Sequence, residues 1–182
     1  MRDVRILGVD PGTIKAGFAV VEDGKLLASA QIKIGSSDVQ MHRRLHALKR
    51  YTELFIHDYG CKLVVYETGF IGRKASPQTS LAIHGARAAI MIAAAELGVE
   101  IAGYHPSTVK MVTGHGDASK DRVMRVMTAL LHPDHELGED EADACAIALT
   151  GEMEARKERL VQAGYAQVGV IQPPKRIKQK PG

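Results

Sequence analysis

The sequence predicts an α/β domain built on a mixed five-stranded sheet with helices on both faces. Three closely spaced strand patterns open the chain, and two later strand patterns alternate with helical ones. Apolar residues make up 45% of the 182 residues and charged residues 25%, which is typical of a globular protein with a buried core. We expect the domain to cover residues 1–160 and residues 161–182 to form a mobile basic tail.

The first three strands are predicted to be antiparallel. Val4 to Asp10 is a short apolar run that ends at Pro11-Gly12, because proline cannot donate a hydrogen bond to a sheet. Ala16 to Glu22 and Lys25 to Ile34 flank Asp23-Gly24, a dipeptide that strongly favours a tight hairpin. The chain therefore begins as a three-stranded meander.

The remaining patterns alternate between helix and strand. Apolar residues at helical spacing predict a helix from about residue 41 to Gly60, after candidate caps in Ser36-Ser37-Asp38. Leu63 to Glu67 reads as a buried central strand. Then follow a helix from Pro77 that stops at Gly98, a strand Val99 to Tyr104, a short helix from Pro106, a helix Ser119 to Leu131 and a helix Glu139 to Leu160. This order of elements is that of the ribonuclease H-like fold.

The charge is concentrated at the carboxyl terminus. The formal net charge is +3, and four basic residues lie in the last ten positions, which contain no acid: Lys175, Arg176, Lys178 and Lys180. The rest of the chain is nearly neutral, so an anionic partner must meet a local patch or the tail.

Two cysteines cannot form a disulfide framework, and the start lacks a secretory signal. No apolar run approaches the length of a membrane span. We therefore expect a cytoplasmic protein with no membrane partner.

Four acids are candidates for a shared site. Asp10 and Glu67 end the first and fourth strands, and Asp140 and Asp143 are spaced to share one face of the last helix. Asp143 leads into the small and apolar residues 144–148, where an unpaired charge is costly unless it binds a metal. The alternatives are solvated acids at strand ends and an acidic helix N-terminus that favours the helix dipole.

The donor set determines which metal fits. Only carboxylate oxygens are offered, which suits Mg²⁺ or Mn²⁺ and disfavours zinc. Two such ions would activate a water and stabilise the leaving oxygen in hydrolysis of a phosphodiester. His115, His132 and His135 are further candidates as proton carriers or ligands, or are simply solvated.

Five motifs carry a resemblance to a known family. They are Leu7 to Gly12, Tyr66 to Phe70, Leu81 to Arg87, Gly114 to Lys120 and Asp140 to Ala148. Over about residues 4–155 they resemble, in order, the RuvC-type Holliday junction resolvases. The resemblance implies a dimeric, Mg²⁺-dependent endonuclease that resolves four-way DNA junctions by paired symmetric nicks in recombination and repair.

The resemblance also implies roles for individual residues. It assigns two metal ions to four acids: Asp10, Glu67, Asp140 and Asp143. Lys110 and Lys120 match lysines near the scissile phosphate, where they count with the acids as catalytic and also contact DNA, and Phe70 matches an aromatic residue that stacks on a base. Arg73 and Lys74 beside it are candidate phosphate contacts. The family has glutamine after the glutamate, where this chain has Thr68-Gly69, and some relatives have histidine at the position of Asp140.

Partners and alternative functions remain open at this stage. The helix from Pro77 to Leu97 is apolar nearly all round, so its outer side belongs either to the core or to a two-fold interface. A homodimer would match the symmetry of a junction, and a branch-migration motor is a further candidate partner. The alternatives are a related nuclease acting on RNA, a non-catalytic junction-binding dimer, and a phosphotransferase suggested by Asp10 to Thr13, which would need a second such domain.

Overall fold

The computed structural model describes residues 4–69 and 76–168, with side-chain surroundings given as far as residue 161. The strands are β1 (Ile6–Asp10), β2 (Lys15–Glu22), β3 (Lys25–Lys33), β4 (Leu63–Glu67) and β5 (Glu100–Tyr104). The helices are α1 (Met41–Tyr59), α2 (Pro77–Glu96), α3 (Pro106–Lys110), α4 (Lys120–Leu131) and α5 (Glu139–Val168), with a 3₁₀ turn at Met111–Thr113. The predicted order of elements is confirmed.

The five strands form one mixed sheet in the order β3-β2-β1-β4-β5. β1 pairs antiparallel with β2 and parallel with β4, and Asp10 lies directly opposite Gly17. Because β4 runs parallel to β1, Glu67 ends at the same end of the sheet as Asp10. We call this the upper end of the sheet.

Helices cover both faces of the sheet, as predicted. On one face α4 and α5 bury a core that includes Ala19, Val65 and Met127. On the other face α1 and α2 cover a core that includes Phe18, Leu48 and Ile90. Alternate residues of β2 belong to different cores, which is the two-residue period expected of a strand covered on both sides.

Helix α5 lies unusually close to the sheet. A Cβ added to Gly17 would lie 1.7 Å from the carbonyl oxygen of Asp140, and one added to Gly8 would lie 2.3 Å from that of Ala144. A Cβ on Gly151 would lie 2.5 Å from Val65 Cγ2. Glycines on both elements therefore set the distance between α5 and strands β1, β2 and β4.

The start of α1 differs from the prediction. Its N-cap is Gln40, with no side-chain capping bond, so the caps predicted in 36–38 are wrong. Ser36 Oγ instead donates to the carboxylate of Asp38, and Val39 N donates to Ser36 O at 3.1 Å. Those polar groups are used within a turn that precedes the helix.

Serine side chains cap the N-termini of two other helices. Ser76 Oγ accepts from Thr79 N at 3.1 Å at the start of α2, and Ser119 Oγ accepts from Arg122 N at 3.4 Å at the start of α4. These caps satisfy backbone donors that have no partner within the helix.

The chain divides into two compact units, Met1–Glu152 and Met153–Gly182. In the first unit Gly24 N donates to both carboxylate oxygens of Glu152, at 3.1 and 2.9 Å, so the hairpin between β2 and β3 is bound to α5. In the second unit the described residues are helical to Val168, past the Leu160 end that the sequence predicts. No helix within the described ranges is long and apolar enough to cross a membrane.

The close contact between Gly17 and α5 predicts a large effect of one methyl group. Gly17→Ala should lower the free energy of unfolding by about 1–3 kcal/mol, because the backbone of α5 must move away from β2. Urea unfolding monitored by circular dichroism measures this change. The control is Gly116→Ala, whose Cβ would meet nothing closer than 3.3 Å and should have a much smaller effect.

Candidate active site

The four predicted acids meet at the upper end of the sheet. Asp10 and Glu67 are the last residues of β1 and β4, and the first turns of α5 carry Asp140 and Asp143 above them. All four side chains belong to half-buried residues. The contact of Asp140 O with Gly17, the residue opposite Asp10, joins the helix to the strands at this point.

The acids act on one another electrostatically. Burial, followed by the charges of Asp143, Asp140 and Glu67, raises the pKa of Asp10 from 3.8 to about 7. Burial is also the largest cause that raises the pKa values of Glu67 and Asp143. Desolvation and like charges both disfavour the ionised form, so without a metal the site has less positive charge than its carboxylates need.

This deficit fits a divalent cation. The donors are carboxylate oxygens, which hard cations prefer, and a cation would relieve both the burial and the repulsion of Asp10. Among the described residues, however, no three histidine, cysteine, aspartate or glutamate side chains converge closely enough to hold one ion. Repulsion among like charges favours such a separation, and a bound cation would draw the carboxylates together.

Two lysines stand near these acids. Lys120 is exposed and lowers the pKa values of Asp10 and Asp143. Lys110 ends α3 and lowers the pKa values of Glu67 and Asp143. Both predicted lysines therefore lie within electrostatic reach of the carboxylates.

Sequence reasoning missed the partner of Lys120. Its Nζ forms a 3.0 Å ion pair with Glu139 Oε2, and this hydrogen bond is the largest cause that raises the pKa of Lys120. The sequence indicates for Glu139 only a place in the acidic start of a helix. It holds the lysine beside the carboxylates while leaving it exposed.

Arg87 is a second residue that the sequence analysis did not assign a role. Its Nε donates to Glu67 O at 3.1 Å and its Nη2 donates to Gly69 O at 2.8 Å. It thereby fixes the backbone on both sides of Thr68. The available signal was its position as the single arginine or lysine in the otherwise uncharged stretch 77–95 of α2.

Glu141 of α5 is bonded to β3 and to the loop before the helix. It is buried and accepts hydrogen bonds from Ser29 Oγ and Gly138 N, each at 3.0 Å. His135 Nε2 lies 3.0 Å from Glu141 Oε1. These bonds fix the first turn of α5, which carries Asp140, against β3.

The three candidate histidines differ in their surroundings. His135 is engaged by Glu141 and Asp134. His132 ends α4 with a left-handed backbone conformation, and its N–H donates to Thr128 O. His115 is exposed in the loop before α4. The predicted DNA contacts Phe70, Arg73 and Lys74 lie outside the described residues.

Known proteins resemble this chain over most of its length. The family model described as crossover junction endodeoxyribonuclease RuvC matches residues 6–151. RuvC of Rickettsia akari is 38% identical over 152 residues, which cover 80% of this chain and 94% of the relative. RuvC of Pseudomonas putida strain W619 is 37% identical over 149 residues, which cover 79% and 83%.

Solved structures show the same similarity. Thermus thermophilus RuvC in complex with a Holliday junction substrate matches with a TM-score of 0.74 and 27% identity, covering 85% of this chain and 96% of that one. The yeast mitochondrial Holliday junction resolvase Ydc2 shares the fold, with a TM-score of 0.60 and 12% identity.

The mixed sheet and the acids at its upper end define a metal-dependent nuclease of the ribonuclease H-like class. Because the family model matches residues 6–151, this chain belongs to the RuvC family of crossover junction endodeoxyribonucleases.

The raised pKa of Asp10 predicts a pH dependence of stability in EDTA. From about pH 4 to 7 the folded protein keeps a proton on Asp10 that the unfolded chain has released, since the unfolded pKa is 3.8. The folded state then binds more protons at Asp10, so the contribution of this group to the free energy of unfolding falls as pH rises through this window. Asp10→Asn should remove that part of the slope.

Urea unfolding of both proteins at stepwise pH measures the difference in slope. Equal slopes for the wild type and Asp10→Asn would contradict the assignment of this proton to Asp10.

Proposed function

We propose that this protein resolves four-way DNA junctions by hydrolysing one phosphodiester in each of two symmetric strands. The observation that carries the proposal is that Asp10 lies within electrostatic reach of Glu67, Asp140 and Asp143, whose charges add to the larger effect of burial in raising the pKa of Asp10 to about 7. Family membership supports the substrate. A nuclease acting on RNA and a non-catalytic junction-binding dimer are the alternatives that the experiments below test.

The four acids would hold two Mg²⁺ ions, with Mn²⁺ as a substitute. When bound, these ions would supply a nucleophilic water and stabilise the leaving oxygen. Asp10 and Glu67 contribute ligands from rigid strand ends, and α5 adds Asp140 and Asp143. Arg87 keeps the Glu67 backbone fixed, so the strand end does not move as charge builds at the phosphate.

Lys110 and Lys120 would act on the phosphate itself. Both lie within electrostatic reach of Asp143, so a phosphate next to the acids would meet their ammonium groups. Positive charge there stabilises the extra negative charge of the transition state. Lys120 must exchange its contact with Glu139 for one with DNA. Phe70, Arg73 and Lys74 complete the proposal as DNA contacts, Phe70 by stacking on an unpaired base.

The proposal includes a homodimer formed through α2. One face of this helix is exposed and contains no charged arginine, lysine, aspartate or glutamate. It is formed by Leu81, His84, Ala88, Met91, Ile92 and Ala95. Leu81 is 68% exposed and Ile92 49%, which is costly unless another surface covers them. A second copy would cover this face and place two sites in the two-fold arrangement of the junction.

The cellular setting follows from this activity. We propose that residues 1–160 act as the nuclease domain in the cytoplasm, with 161–182 as a basic tail. A branch-migration motor that moves the junction is the proposed partner complex.

Asp143→Asn should abolish junction cleavage, by about a thousandfold or more, while junction binding in EDTA persists. Removing one of several repelling charges should also raise the free energy of unfolding without metal by about 1 kcal/mol. The assay uses labelled four-way junction, linear duplex and RNA–DNA hybrid with Mg²⁺, Mn²⁺ or EDTA.

Asp58→Asn is the matched control, because Asp58 is an exposed acid of α1 and should leave cleavage unchanged. Unchanged cleavage by Asp143→Asn would contradict the proposed mechanism. Cutting of the hybrid without preference for the junction would favour the RNA nuclease, and binding without any cut would favour the non-catalytic dimer.

Ile92→Glu should convert the dimer into a monomer, because a charge would be buried at the proposed interface. Analytical ultracentrifugation measures the mass, and the nicking assay should show single nicks in place of paired ones. Leu130→Glu on α4, where Leu130 is 53% exposed, is the control and should remain dimeric. An unchanged mass for Ile92→Glu would contradict the interface.

A further inference from the structure

Two lysines face each other at the upper end of the sheet. In the register of β2 and β3, Lys15 lies directly opposite Lys33. Both residues are exposed, and neither forms an ion pair within the described part of the chain. Like charges directly opposite each other destabilise an antiparallel pair.

The opposite end of the sheet shows a balanced arrangement. There Glu22 of β2 lies opposite Lys25 of β3, and Arg5 Nε forms a 3.1 Å ion pair with Glu22 Oε1. The same two strands therefore neutralise charge at one end and accumulate positive charge at the other. This difference indicates that an anion is met at the upper end.

Strand alternation places both lysine side chains on the face that carries the carboxylate site. Lys15 is two residues before Gly17, which lies against the backbone of Asp140. Lys33 is two residues after Gln31, whose side chain lies next to Gly138. Residues two apart on a strand share a face, so both lysines continue the row that runs from Asp10 through Gly17 to Gln31.

The distance from the site on β1 to Lys33 on β3 fits a DNA backbone that continues beyond the cleaved phosphodiester. Neighbouring strands are about 4.8 Å apart, so β3 lies about 10 Å from β1. At 3.4 Å per base pair, this corresponds to about three base pairs of duplex. Arg44 of α1, whose Nη1 donates to Thr13 Oγ1 at 3.2 Å, brings a further positive charge next to the turn between Asp10 and Lys15.

We propose that Lys15 and Lys33 form a binding surface for the phosphate backbone of a duplex arm that leaves the cleavage site across β2 and β3. The inference rests on the proposed function and adds a path for the substrate. Its recognition is electrostatic and independent of base sequence, because lysines on a strand end contact phosphates as point charges.

The experiment compares Lys15→Gln/Lys33→Gln with the wild type in junction binding by fluorescence anisotropy in EDTA. Loss of two phosphate contacts should reduce the slope of log affinity against log salt by about 1.8. Between about 50 and about 200 mM salt, the wild type should therefore lose about tenfold more affinity than the variant. Lys15→Arg/Lys33→Arg should restore the wild-type slope.

Lys25→Gln/Lys62→Gln is the matched control, because it removes two exposed lysines from the opposite end of the sheet. It should keep the wild-type slope. Without DNA, the upper-end variant should melt about 1–3 °C higher than the wild type, since like-charge repulsion is relieved.

An unchanged slope for Lys15→Gln/Lys33→Gln, or a slope equally reduced in the control, would overturn the inference. A lowered melting temperature would show that the lysines stabilise the sheet and would also contradict it. Failure of the wild type to cut the junction would instead contradict the proposed function, so the two failures are distinguishable.

Discussion

The contact between α5 and the glycines of β1 and β2 is the constraint on which the rest of the structure depends. Two acids of the site belong to strands and two to a helix, and they can act together only if the helix backbone touches the sheet. Gly8 and Gly17 permit this approach, because a single Cβ at either position would overlap the helix backbone. The small residues Ala144 and Ala148 of α5 complete the contact. The absence of side chains at Gly8 and Gly17 therefore sets the distance between the two acids on the strands and the two acids on α5.

That closeness produces an electrostatic conflict that the fold only partly relieves. Burial and neighbouring acids keep Asp10 protonated to about pH 7, and Lys120 offsets only part of that effect. A raised carboxyl pKa of this kind is expected in a site that binds a positively charged ligand. The protein without metal has lower stability than its packing alone would give, and metal binding would recover the difference.

Most of the fold could be predicted because its signals are local. Asp23-Gly24 defines the hairpin, Gly60 ends α1 with a left-handed backbone, and Pro77 starts α2. The caps of α1 could not be predicted, since Ser36 and Asp38 bond to each other once the chain turns. The later end of α5 was also missed, because Gly164 in the sequence resembles a helix stop.

For the site too, local sequence signals predict some residues, whereas contacts between distant residues could not be predicted. That Asp10, Glu67, Asp140 and Asp143 meet could be predicted, since the strand ends and helix spacing indicate it. The hydrogen bonds of Arg87, and that between Ser29 and Glu141, could not, because they join residues at least 18 apart in the chain that only the folded structure brings together. Polar residues that hold a site in place leave a weaker sequence signal than the residues that perform its chemistry.

The two ends of the sheet show where function has overridden stability. At the opposite end Glu22 forms an ion pair with Arg5 and lies across from Lys25. At the upper end acids accumulate on β1, β4 and α5, and lysines accumulate on β2 and β3, without ion pairs between the two groups. A metal ion beside the acids and a phosphate backbone beside the lysines would neutralise both groups at once, and a metal-bound phosphodiester brings those two ligands together.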